Sequence, residues 1–308
     1  MGSRCGTIRG VETVADIPQD VPQGPGRART ADHGTRRGAR QAPVPGLADP
    51  GWTRLVVAGL APVVLAVSSA LPGLARTGLV VLLVPLLAQG WPALVRARHD
   101  VGSSVVIALA GVSAALVVGV TGNFATAAWV MAFSVVAAFV AQMLRRDGRP
   151  DLVEDLGSTV SGALVAVCGA GWCALNGTVA DPSIMVPVSV ALFAGALLTL
   201  LPVPAHALEI LTVTLAALVS GVVGGALAQV GFFGPLHTGP LVALQSAAAC
   251  LVAGFVAGIL MAAGNRVLWT HRWVPGGRAA ATSALVPVLA TGAPVYAVAR
   301  LMGSFLAG

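Results

Sequence analysis

The sequence predicts an all-α, polytopic transmembrane helix bundle of about nine spans, N-terminus inside and C-terminus outside, preceded by a disordered tail. Three observations predict it. Of the 308 residues, 56% are hydrophobic and only 10% charged, whereas soluble domains carry about 25% charged residues. From Leu55 onward, apolar blocks alternate with short polar breaks, and each block approaches the roughly 20 apolar residues that a bilayer core requires of one helix. The basic residues, finally, fall in alternate breaks, as retention of Arg and Lys in cytoplasmic loops demands.

Residues 1–52 read as a cytoplasmic tail rich in Gly, Pro and Arg, as in QDVPQGPGRARTADHGTRRGARQAPVPGLADP. No periodic apolar pattern there could bury a core. The early Arg residues are followed by Thr, Val, Glu and Pro in place of an apolar h-region, so the tail is not a signal peptide. Residues 53–308 form the membrane domain. Its spans run approximately Leu55 to Leu71, Gly78 to Val95, Val101 to Val120, Phe124 to Leu144, Gly157 to Leu175, Ile184 to Leu201, Ala207 to Val230, Leu241 to Ala263 and Ala279 to Ala299. Continuous blocks of Ala, Leu and Val lack the period-two alternation of a membrane barrel strand. The break LPVPAH, Leu201 to His206, carries no Arg, Lys, Asp or Glu and reads as a tight inner turn.

Starting inside and alternating, seven Arg of the tail and Arg54, Arg96, Arg98, Arg145, Arg146, Arg149, Arg266, Arg272 and Arg278 fall on the cytoplasmic side. Only Arg76 and Arg300 fall outside. One parity therefore runs through the chain, and the location is the plasma membrane. All 18 basic residues are Arg, scattered between apolar blocks, which argues against nucleic-acid binding. Cys5, Cys168, Cys173 and Cys250 show no metal-ligand or disulfide spacing, so neither a metal nor a cofactor is implied. Gly221 and Gly225, and Gly254 and Gly258, are small-xxx-small pairs, expected to pack helices within one bundle, with a dimer face as the other possibility.

Polar groups at membrane depth are the first place to look for chemistry. Gln89, between Pro85 and Pro92, is the deepest polar side chain; an interhelical hydrogen bond is the expectation and a cavity lining the alternative. His206 and Glu209 share a face at the start of the seventh helix and form a candidate proton-handling pair. In LRRDGRPDLVEDLGS, Arg145 and Arg146 end one helix while Asp151, Glu154 and Asp155 open the next after Pro150. Each sign complements its helix dipole, which accounts for the residues without a ligand. Three carboxylates at i, i+3 and i+4 also share a face on which a cation would fit. Arg145, Arg146, Asp151, Glu154, Asp155, Arg266, Arg272 and Arg278, all inner, are the candidate substrate-binding set, suited to a phosphate-bearing lipid headgroup at the cytoplasmic face.

The order of features resembles the CDP-diacylglycerol synthase (phosphatidate cytidylyltransferase) family. EDLGSTVSGALVAV, Glu154 to Val167, is similar to the family's acidic helix start after a charged inner loop. WVPGGRAAATSALVPVLATGAPVYAVA is similar to its terminal signature through Pro275, Gly276, Gly277, Arg278, Pro294, Val295 and Tyr296. The resemblance implies a polytopic phospholipid enzyme using CTP and a divalent cation. The chain departs from it in having no Asp or Glu after Glu209, no His in the Pro-Gly-Gly element and no Lys. Nucleotidyl transfer needs metal-held or clamped charge, so kinship would imply a diverged, inactive relative. Nor is there a GxxxxGK[ST], HExxH, GxSxG or GxGxxG signature. The residues themselves read as a permease-like or lipid-interacting membrane component without a recognisable catalytic site, its partner a membrane lipid, with oligomerisation possible.

Overall fold

A computed structural model describes residues 50–95, 97, 100–144, 152–176, 182–201, 203–232, 239–270 and 276–306. The expected disorder of the tail falls on residues outside these. Among the described residues the chain forms helices α1 (Pro50–Ser68), α2 (Gly73–Val95), α3 (Asp100–Thr121), α4 (Thr126–Met143), α5 (Leu152–Cys168), α6 (Gly171–Ala174), α7 (Met185–Leu198), α8 (Ala205–Gln229), α9 (Pro240–Thr270), α10 (Gly276–Ala290) and α11 (Gly292–Leu306). Eight segments are long and apolar enough to cross a membrane, α5 with α6 and α10 with α11 each counting as one. Helix α7, with 14 residues, is about 21 Å long. A 3₁₀ turn at Pro182–Ile184 precedes it, completing the ninth predicted segment. The protein is thus a multi-pass helical membrane protein.

Side-chain size is sorted in the sense a lipid solvent favours. Along α9, Cys250, Ala253, Ala257 and Met261 are buried while Leu241, Leu244, Leu251, Phe255 and Ile259 face outward. In α3, Ala110, Ala114 and Val118 are buried, and Val101, Val105, Leu109 and Leu116 are exposed. Lipid tails are as apolar as Leu, so helix association relies on close contact between small residues. Both glycine pairs serve this purpose inside the bundle. A Cβ on Gly254 would stand 2.5 Å from the Ala216 carbonyl oxygen, and one on Gly225 would stand 3.1 Å from Ala247 Cβ. Helices α8 and α9 consequently form the most intimate pair in the fold.

Helix ends follow local chemistry. Gly122 has φ 66° and returns its N–H to the Val118 carbonyl at 2.8 Å, closing α3 with a left-handed cap that only Gly adopts readily. Gly231, φ 74°, closes α8, where the Phe232 N–H reaches the Leu227 carbonyl at 3.0 Å. The 201–206 break is a turn. After α7 the Leu200 and Leu201 N–H groups bond three residues back, and Pro204 starts α8. Proline after Leu201 and Val203 biases both away from helical dihedrals.

Two of the predicted spans are each broken into two helices. The fifth breaks between α5 and α6, where the Ala170 N–H bonds the Val167 carbonyl at 3.0 Å. The last breaks at Thr291, between Pro287 and Pro294, which cannot donate to their helices. The bends meet: a Cβ on Gly292 would lie 2.5 Å from the Cys168 carbonyl oxygen and 2.8 Å from Trp172 Cδ1. The fully buried Trp172 donates its indole N–H to the Val288 carbonyl at 2.9 Å, and Thr291 donates its hydroxyl to the same oxygen at 2.9 Å. A carbonyl freed by the bend is thus re-satisfied, as the absence of water in a bilayer requires.

Candidate functional site

Contacts between helix ends sort the bundle into two ends. At one, Arg54 of α1 meets Asn265 of α9, Trp91 of α2 donates to the Ser158 carbonyl of α5 at 2.9 Å, and Glu209 of α8 meets Arg266 of α9. At the other, Arg76 of α2 donates to the Leu175 carbonyl after α6, and Gly122 lies against Asn176. The first end carries the predicted inner arginines and is called the arginine-rich end below.

A cavity of about 500 Å³ opens there where α1, α7, α9 and α10 diverge. It owes its volume to small side chains, Ala58, Ala196 and Ala284, and its apolar walls to Leu55, Leu200, Met261 and Pro287. Trp52, 66% exposed, and Leu200, 59% exposed, stand at its rim. Trp at such a position marks the membrane–water interface. The rim Trp52 thus suits the membrane–water interface.

Its polar groups are few. Arg54 Nη2 donates to Asn265 Oδ1 at 2.9 Å. Asn265 is only 6% exposed, and among the described residues its enclosed Nδ2 has no hydrogen-bond partner. An orphaned buried donor costs about 1–3 kcal/mol. Thr199 and Ser283 also line the cavity, but their hydroxyl protons go to the Ala196 and Ala280 carbonyls, each at 2.7 Å. Among the described residues no carboxylate lines the cavity, which carries one guanidinium, an amide that holds it and an apolar wall.

Beside it, Arg266 Nε stands 3.7 Å from Glu209 Oε1, with side chains 76% and 24% exposed. Glu209 thus faces an arginine on the neighbouring helix, while His206 is exposed at the start of α8. Of the predicted substrate-binding set, Arg145, Arg146, Asp151 and Arg272 lie outside the described residues. Glu154 is exposed and Asp155 4% exposed, so these two carboxylates do not present one common surface. Arg278 is exposed at the start of α10. The described members are thus spread over the ends of α5, α9 and α10.

Sequence reasoning missed the cavity residues. Arg54 was legible only as an inside marker, and Asn265 fell two residues beyond the predicted end of its span. Gln89 is exposed on the outward face of α2 with Leu82 and Leu86, so it neither bridges helices nor lines this cavity. Arg76, expected in an outer loop, lies within α2 and is 3% exposed; the helix starts earlier than predicted, at Gly73, and carries the guanidinium into the bundle. Comparison with protein-family models, curated proteins and solved structures gives no match for this chain.

Proposed function

We propose that the protein is a non-catalytic component of the plasma membrane, permease-like or lipid-interacting, that takes a lipid-like ligand into the cavity beside Arg54. One observation carries this reading: a space of about 500 Å³ with a mostly apolar lining that includes Arg54 and Asn265. That volume falls in the range of small-molecule sites, which combine apolar walls with a few fixed polar groups. The arginine count supports an orientation with this end in the cytoplasm. The ligand would then enter from the inner leaflet. A soluble ionic substrate fits less well, since ion pathways need ionisable groups at the midplane and none of the sequence-assigned spans has one at its centre.

Retention of lipid by the purified protein tests this. Native mass spectrometry of detergent-solubilised wild type is expected to show a stoichiometric lipid adduct that Ala58→Leu, which fills the cavity, removes. Equal adducts in both proteins would mean annular lipid only and would overturn the reading. The same preparation given CTP, magnesium and phosphatidate is expected to form no CDP-diacylglycerol, and formation above a protein-free control would overturn its non-catalytic part in favour of the synthase resemblance.

A further inference from the structure

We infer that the ligand of this cavity is a singly charged anionic lipid, a phosphodiester or a fatty carboxylate, whose headgroup is taken by Arg54, which Asn265 holds in place. The inference rests on the reading just given and adds the charge and chemistry of the headgroup.

Charge decides first. Among the described residues, Arg54 is paired with a neutral amide, and no Asp or Glu lines the cavity. A guanidinium at the edge of a bilayer is stable when an anion answers it. Hydrogen bonding decides next. The Arg54–Asn265 bond fixes the amide with its carbonyl oxygen on the guanidinium, so the amide orients Arg54, while its own Nδ2 is enclosed. The remaining guanidinium N–H groups are the donors Arg54 has left for a ligand, and Asn265 holds the guanidinium in place from α9. An oxyanion supplies the acceptor the guanidinium lacks, and charge-assisted bonds to it are the strong ones. The walls then require that the anion be attached to a chain, because Leu55, Met261 and Pro287 have nothing to offer a free ion.

The count of charges narrows the class further. A phosphomonoester carries about −1.5 to −2 at neutral pH, and one arginine would leave the surplus buried. A phosphodiester or carboxylate carries a single charge and matches the site. Other features of the molecule do not compete. The groove of about 560 Å³ between α1 and α2 at the opposite end, lined by Val64, Leu71, Gly78 and Leu82, has no charged group. Arg76 donates to the Leu175 carbonyl and keeps a buried Nε without a partner among the described residues, but it lines neither this cavity nor the groove. Glu209 and Arg266 neutralise one another.

The test uses the full chain in a neutral detergent, with the thermal midpoint followed against added short-chain lipid. Dioctanoyl phosphatidylglycerol and laurate are expected to raise the midpoint, and dioctanoyl phosphatidylcholine and inorganic phosphate to leave it in place. Arg54→Gln and Asn265→Leu should each weaken the phosphatidylglycerol response by at least about tenfold in concentration. Asn265→Asp keeps the arginine but supplies an internal carboxylate, so it should abolish the response in a protein that elutes and folds as wild type. A phosphatidylcholine response equal to that of phosphatidylglycerol overturns the inference. If Ala58→Leu removes that shared response, the lipid-like reading survives; no response to any lipid overturns both. A response to inorganic phosphate alone overturns the lipid part, and tighter binding of phosphatidate than of phosphatidylglycerol overturns the single charge. An unchanged phosphatidylglycerol response in the Arg54 and Asn265 variants overturns the site.

Discussion

Replacing the α8–α9 glycines by alanine should destabilise the protein in a graded order that the backbone geometry sets. At Gly254 an added Cβ lies 2.5 Å from the Ala216 carbonyl oxygen, at Gly258 it lies 2.9 Å from Val213 Cα, and at Gly225 it lies 3.1 Å from Ala247 Cβ. Ordinary contact begins at 3.4 Å. The helices must therefore separate by about 0.9 Å, 0.5 Å and 0.3 Å respectively, in an interior packed too densely to absorb the first without loss elsewhere. Overpacking costs about 1–3 kcal/mol, and alanine returns up to about 1 kcal/mol of helix propensity. Gly254→Ala should then lose about 1–2 kcal/mol, Gly258→Ala about half of that, and Gly225→Ala should stay within about 0.5 kcal/mol of wild type. For a domain of about this size each kcal/mol lowers the unfolding midpoint by roughly 2–4 °C. Size-exclusion elution after stepwise heating in detergent reads these shifts. Gly254→Ala unfolding at or above the midpoint of Gly225→Ala would refute the claim that backbone contact at these glycines holds the pair together.

Arg76→Ala should cost about 2–4 kcal/mol, because it leaves a cavity and strips the Leu175 carbonyl of its donor, at a side chain that is 3% exposed. A midpoint within 1 °C of wild type in the same heating series would contradict that bond. Glu209→Gln should change stability by less than about 1 kcal/mol, since the Arg266 side chain is 76% exposed and the pair is loose at 3.7 Å. A large loss that persists at high salt would show that the pair does more than meet at the surface.

The spans were legible because lipid imposes a length and a composition that few other environments share. Each predicted block corresponds to a helix or a bent pair of helices, and the parity of the arginines agrees with the helix ends that meet in the structure. What the sequence hid was the phase of each helix. Gln89 looked like an interior amide because α2 is apolar nearly all round, and such a helix gives no stripe from which to read its inward face. Only the structure sets Val80, Val84 and Leu87 inside and Leu82, Leu86 and Gln89 outside. The bends were hidden for a different reason. Gly169, Gly171 and Gly292 read as small residues within apolar runs, and their purpose depends on another helix passing at the same height. Arg54 and Arg76 were sorted by side of the membrane alone, and their neighbours come from helices far along the chain.

The depth of Asn265 ties these threads together. It is the next member of the seam Cys250, Ala253, Ala257 and Met261 along α9, and the only one with a polar side chain. From Pro240 to Asn265 a helix rises about 38 Å, more than the roughly 30 Å of a hydrocarbon core. A seam that enters the hydrocarbon near Pro240 and runs along the membrane normal leaves it before it reaches Asn265, at the level where lipid phosphates and carboxylates lie. An amide at that height is not the penalty it would be at the midplane, and neither is Arg54 bonded to it. The guanidinium it holds meets the one layer of the membrane that is rich in anionic acceptors. The same amide three turns deeper would have to find its partner within the protein.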